Sequence, residues 1–299
     1  MELLNSLNID AHYAIILLIN LAIAFGLLTA VKFISGVISN VNAINELAEK
    51  DNTAFGVSVA CVALAVTIIM TGVMSGEASY SILLEAMNVF GYGALGLVLM
   101  IVTRAIFDRI SMPNFSVKNE ILKGNIAAAI VDGGNVIATA IIIRAALIWI
   151  EHNTIYDGLL VLGAYCLSQI ILTIASKYRI YMYKSQQNGE TLQCAIQNGN
   201  KALAWRFSGY RIGIALAISA ASGIVPYDLN APISMAFMWV AVSFVMMIFM
   251  LMMVFIADKI ILHKINLNQE INDQQNSAVG IIQAAIIIST GLIIATLTA

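Results

Sequence analysis

Eight stretches of about 20 or more mostly apolar residues constrain this chain before any motif does. They fall near 13–38, 53–75, 86–107, 125–150, 157–180, 201–224, 230–257 and 277–298. Lipid offers the backbone no hydrogen-bond partner, so a run of that length crosses the bilayer as a helix that satisfies its own amides. Only 11% of the 299 residues are charged and 60% are hydrophobic, against a charged share of about 25% in soluble domains. The expected fold class is therefore an all-α integral membrane protein with eight transmembrane helices. The three prolines, at 113, 226 and 232, lie in or beside connections, so the helices should run unbroken. Gly133 and Gly134 are the place where a local break could still occur.

The charges are sorted by connection. Lys32, Lys50, Arg104, Arg109, Lys118, Lys123, Lys177, Arg179, Lys184, Lys201, Lys259 and Lys264 fall at or between the ends of spans 1–2, 3–4, 5–6 and 7–8. The opposite side carries Glu2, Asp10, Glu77, Glu85, Glu151, Asp157 and Asp228, with no Lys or Arg. Basic residues accumulate on the cytoplasmic side of a membrane. Both termini are thus expected outside, in the periplasm of a bacterial inner membrane. No Lys or Arg precedes the first apolar run, so that run is expected to be a retained span.

A short pattern, Asn-x-Ala-x-(Gly/Ala), opens every even span: "NTAFG" at Asn52, "NIAAA" at Asn125, "NKALA" at Asn200 and "NSAVG" at Asn276. The copies are 73, 75 and 76 residues apart, a period that marks a repeated structural unit. A glutamate precedes each, at Glu46, Glu120, Glu190 and Glu270, with less regular spacing. The chain is expected to be four helical hairpins, each with a polar connection before the motif. Asn at a helix entry accepts from backbone N–H groups of the first turn. Small residues two and four positions later let a second helix approach closely. The four Asn residues either cap a packing seam or converge on one polar site.

The motif resembles the YjfL family of bacterial inner-membrane proteins, a domain of unknown function. Its pattern is an acidic residue shortly before Gly-Asn-x-Ala-x-(Ala/Gly) at a helix start. "EILKGNIAAAIVDGG" carries the closest likeness; "ELAEKDNTAFGVSVA" and "EINDQQNSAVGIIQA" are looser. "ETLQCAIQNGNKALAWRFSG" departs, with a longer Glu-to-Asn gap and Arg206. The family unit has about four spans, so the resemblance implies two tandem units near 1–150 and 151–299. It also implies a membrane location. Envelope-stress proteins are often encoded near such members, which implies a partner complex. It supplies no activity.

Charges within spans are candidates for function, because they are expensive in lipid. Asp132 lies seven residues beyond Asn125 and Arg206 six beyond Asn200. At 1.5 Å per residue both are about 10 Å past the helix entry. Gln283 lies seven beyond Asn276. Equal depth and opposite charge predict an Asp132–Arg206 pair that offsets the cost of desolvating both. Arg211, deeper, is expected to face Asp132 or a wet cavity. Arg144 is expected to anchor at the far interface near Glu151. The candidates for binding or conduction are Asp132, Arg206, Arg211, Gln283, Asn52, Asn125, Asn200 and Asn276.

His12, His152 and His263 have no metal-ligand spacing. Cys61, Cys166 and Cys194 form no CxxC and are expected to be buried small hydrophobes. No metal or other cofactor, no nucleic-acid partner and no catalytic site is expected. The expected partners are membrane lipids, further copies of the chain, or membrane and cytoplasmic proteins. Two functions fit. The first is a non-enzymatic subunit or scaffold of an envelope- or stress-associated membrane complex. The alternative is a channel or transporter for a small ion or solute, using the intramembrane Asp and Arg residues.

Overall fold

A computed structural model describes residues 11–39, 41–76, 80–113, 115–150, 155–187 and 189–299. Among these, eight helices are long and apolar enough to cross a membrane. They are α1 (Ala11–Ser39), α2 (Thr53–Val73), α3 (Ile82–Ile106), α4 (Ile126–Trp149), α5 (Ile155–Gln186), α6 (Lys201–Ser219), α7 (Pro232–Ile261) and α8 (Ser277–Leu297). A π-helical turn, Phe107–Ser111, extends α3. The eight expected spans are thus all present. α4 is continuous through Gly133 and Gly134. Pro232 occupies the first turn of α7, where its missing N–H costs nothing. Large apolar side chains such as Ile233, Phe237 and Leu292 stand exposed on the bundle exterior, as a surface bathed in lipid allows. Cys166 and Cys194 are exposed too and Cys61 is half-buried, which corrects the burial expected of them.

The even spans stand in a row. α2 packs on α4, α4 on α6, and α6 on α8. The odd spans form a second layer: α3 leans on α2 and α4, α5 on α4 and α6, and α7 on α6 and α8. The inner two helices of the row bury 83% and 72% of their most apolar stretch, the outer two 44% each. Small residues make the row close. A methyl added to Gly134 would sit 2.5 Å from Ser208 Cβ, and one on Gly209 2.7 Å from Ala284 Cα. At the end of the bundle remote from the motifs, Trp149 stacks near Trp239 at 4.8 Å. Its indole N–H donates to the Val225 carbonyl at 2.8 Å, tying α4 to the chain between α6 and α7.

The motif is a turn between two helices. A short helical connector precedes each even span: Asn45–Glu49, Val117–Leu122, Leu192–Gln197 and Gln269–Asp273. The residue just before each motif Asn has positive φ: Asp51 (49°), Gly124 (86°), Gly199 (87°) and Gln275 (53°). In the second and third copies this residue closes a helix C-terminus with paired 6→1 and 5→2 bonds. Asn125 N donates to Glu120 O and Gly124 N to Ile121 O; Asn200 N donates to Ala195 O and Gly199 N to Ile196 O. The first and last connectors are π-helical and hold one more residue, since Asn52 N reaches Glu46 O and Asn276 N reaches Glu270 O. The wider turn absorbs the insertion without moving the Asn.

That geometry corrects the glutamate alignment in the third copy. The place held by Glu46, Glu120 and Glu270 is taken by Ala195, whose carbonyl caps Asn200. Glu190 precedes that connector instead of lying within it. The longer Glu-to-Asn gap is therefore the loss of the acid from its slot.

Candidate functional site

Each motif Asn works in two directions. Its side-chain oxygen accepts from the first turn of its own helix: Asn52 from Phe55 N at 3.0 Å, Asn125 from Ala128 N at 3.2 Å, Asn200 from Leu203 N at 2.9 Å and Asn276 from Ala278 N at 3.1 Å. In the first three copies the amide then reaches the next connector along the row. Asn52 Nδ2 donates to Ile121 O at 3.1 Å, Asn125 Nδ2 to Ile196 O at 3.0 Å, and Asn200 Nδ2 to Ile271 O at 3.0 Å. The four residues do not converge on one site, because these amides are committed to their neighbours. The packing-seam alternative is the one the geometry follows.

Glu46, Glu120 and Glu270 steady the same amides. Asn52 Nδ2 donates to Glu46 Oε2 at 3.0 Å and Asn276 Nδ2 to Glu270 Oε2 at 2.8 Å. Hydrogen bonds from Lys50 and then Asn52 hold the Glu46 carboxyl below its ordinary value of 4.5. For Glu120 the bond from Lys123 lowers it most; burial opposes this and Asn125 assists. A carboxyl lowered on folding stabilises the fold above its unfolded value, and that contribution is lost as pH falls through the folded value. The stabilisation that these two carboxyls supply is therefore expected to hold down to pH 4.5 and to be lost below it, lowering the melting temperature in detergent. A Glu46→Gln/Glu120→Gln variant should show a shallower acid limb; an unchanged limb would remove these two carboxyls as its cause.

Asp132 is 4% exposed, and its partner is Arg104, not Arg206. Arg104 Nε donates to Asp132 Oδ1 at 3.0 Å, and its Nη2 donates to Oδ2. Ser58 Oγ donates to Asp132 Oδ2 at 2.6 Å and accepts from Arg104 Nη2 at 3.0 Å. The three groups close a ring between α2, α3 and α4. It lines a cavity of about 200 Å³ that also touches Phe55, Asp108 and Lys118. The expected pairing fails because Arg206 belongs to the next even span and turns away from Asp132. Its Nη1 donates to Asn268 Oδ1 at 3.3 Å. Arg104 lay among the connection charges in sequence, but α3 carries it inward before turning. It stands 21 residues before Asn125 and Asp132 seven after, so the hairpin brings both to one depth.

Gln283 has an equivalent role between α7 and α8. Its Nε2 donates to Asp258 Oδ2 at 2.8 Å, with the carboxylate now on the odd helix. Asp258 Oδ1 and Gln283 Oε1 are buried without a partner among the described residues. Arg211 is 3% exposed and forms no salt bridge among the described residues. Its Nη1 donates to Ser176 Oγ and its Nη2 to Asn135 Oδ1, both at 2.6 Å. Its guanidinium lies 4.6 Å over the Phe107 ring. Of the two surroundings expected for Arg211, Asp132 is the one these contacts rule out. Arg144 Nε donates to Thr71 Oγ1 at 3.1 Å; Glu151, its expected partner, lies outside the described residues.

A second cavity, of about 230 Å³, opens at the motif end between α5, α6 and the last connector. Arg179, Arg206, Tyr178, Tyr183, Tyr210 and Asn272 line it. Among the described residues, neither arginine forms a salt bridge. Arg179 instead stacks on the Tyr210 ring at 2.8 Å.

Eight helices long and apolar enough to cross a membrane, with an ion pair between them at Arg104 and Asp132, define a multi-pass α-helical membrane protein. The chain belongs to the family described as Domain of Unknown Function (DUF350), whose model matches it twice, at residues 6–147 and 154–298. It therefore carries two tandem family units. No match was found among curated proteins or among solved structures.

Proposed function

We propose that the chain is a non-enzymatic subunit of a membrane complex in the bacterial inner membrane, with its basic connectors in the cytoplasm and both termini outside. One observation carries this reading: the Asp132 carboxylate and the motif Asn amides are spent on holding helices to one another. Asp132 is closed by Arg104 and Ser58, and three motif Asn amides grip the following connector. A loop-poor bundle of this kind presents surfaces to partners. Its charge placement supports the orientation.

The test is reconstitution beside native sizing. Gently extracted protein is expected to migrate far above its 32.2 kDa chain mass, while proteoliposomes leak K⁺, Cl⁻ and phosphate no faster than empty vesicles. A monomer that conducts one of these ions would overturn the reading. A second reading rests on Arg179, Arg206 and the deeper Arg211, three guanidinium groups in one unit that form no salt bridge among the described residues. That excess of positive charge favours an anionic solute. Flux of chloride or phosphate that disappears in Arg211→Ala would support it.

A further inference from the structure

The row of motif helices ends without closing, and its two ends match. Positions counted from each motif Asn show this. Position +9 of one helix packs on position +8 of the next at all three junctions. Gly133 sits on Cys61, Gly134 on Ser208, and Gly209 on Ala284. Deeper, Gly213 at +13 packs on Ile287 at +11 and Gly291 at +15. Near the entry, Ala202 at +2 packs on Gly280 at +4. Near the exit, Gly72 at +20 packs on Arg144 at +19.

Burial follows the same rule until the row stops. Position +2 is fully buried as Ala54, Ala127 and Ala202, but Ala278 is exposed. Position +13 is buried as Ala65, Ala138 and Gly213, but Ser289 is exposed. Position +20 is buried as Gly72, Ala145 and Ala220, but Thr296 is exposed. On the opposite face the first helix is the exception. Position +8 is exposed as Ala60 and buried as Gly133, Ser208 and Ala284; position +15 is exposed as Thr67 and buried as Ala140, Ala215 and Gly291. The polar latch stops at the same place. Asn276 Nδ2 donates to its own Glu270, whereas the three earlier amides also cross to a following connector.

We propose that α8 of one copy packs on α2 of a second copy in the register of the internal junctions. Ala278 then meets Gly56, Ala285 meets Ala60, Ser289 meets Thr67 and Thr296 meets Thr71. Asn276 donates to the Leu47 carbonyl, the place Ile271 holds in the last connector. The contact is head to tail, so each copy keeps one open end, and the array extends or closes as a ring. Small residues at these positions are what close helix approach in lipid requires. The proposal rests on the assembly reading and names one partner within it.

The test is site-directed crosslinking in native membranes, on a chain whose cysteines at 61, 166 and 194 are replaced by Ala. The Ala60→Cys/Ala285→Cys variant is expected to convert monomer into a ladder of disulfide-linked oligomers under mild oxidation, since the paired Cβ atoms lie within disulfide reach. Membranes holding the two single variants together should stop at dimer. Ala60→Cys with Ile233→Cys, on the lipid face of α7, should remain monomeric. A ladder-free double variant, or single variants that dimerise as readily as the pair, would overturn the contact. Ala285→Trp is expected to release monomers without lowering the melting temperature; oligomers that survive it would also sink the contact. If the double variant stays monomeric while other proteins remain in the complex, only the head-to-tail contact falls, and the assembly reading stands.

Discussion

Asp132→Ala is expected to lower the unfolding free energy by about 3 kcal/mol, the low end of the cost of removing one partner from a buried ion pair. Arg104 would keep its charge at membrane depth with Ser58 as its remaining hydrogen-bond partner among the described residues, beside the Asp108 carboxylate in the same cavity. Arg104→Ala should cost more, because Asp132 is the more buried of the two, with its side chain 6% exposed against 18%. The informative variant removes both. An Arg104→Met/Asp132→Leu chain should recover most of the loss, since a buried pair replaced by apolar groups is often neutral. The adjoining cavity of about 200 Å³ gives the larger side chain room. Unfolding in mixed micelles measures all four chains. Additive losses would show that the two groups act independently and that the ring is not a lock.

Gly280→Ala is expected to cost about 3 kcal/mol, the upper part of the range for overpacking. A methyl there would lie 2.5 Å from Ala202 O and 2.7 Å from Ala202 Cα. Both are backbone atoms of α6, so no flexible side chain can move aside. α6 and α8 would have to separate, and the Asn200 bond to Ile271 O would lengthen with them. Gly26→Ala on α1 is the control, because nothing among the described residues lies within 4 Å of its added methyl. The same unfolding assay should show no loss there. Equal losses at both positions would mean that contact between α6 and α8 does not set the cost, since helix propensity alone favours Ala over Gly at each.

Much of this architecture was legible from local chemistry. Eight apolar runs predict eight helices because a span must satisfy its backbone within itself. Asn52, Asn125, Asn200 and Asn276 predict four caps because an Asn oxygen accepts from a first-turn N–H wherever it stands at a helix entry. Gly124 and Gly199 announce their positive φ by lacking a Cβ. Asp51 and Gln275 do not, since a residue with a side chain adopts that conformation only when the turn around it demands it.

The pairings were a different matter. Depth along a helix comes from counting, so Asp132 and Arg206 were set at similar distances past their helix entries and still do not meet. Which side chain crosses to which depends on the rotation of each helix and on how far α3 runs before it turns. That choice is made by the small-residue contacts at Gly133, Gly134, Gly209 and Gly280, each between atoms more than 70 residues apart. Spans, caps and polar depth are properties of single helices, and the chain alone determined them. The partner of Asp132, the isolation of Arg211 from it and the open ends of the row are properties of helix pairs. Only the packed structure decided those, because a periodic pattern records where a side chain sits along its helix and says nothing of the neighbour it faces.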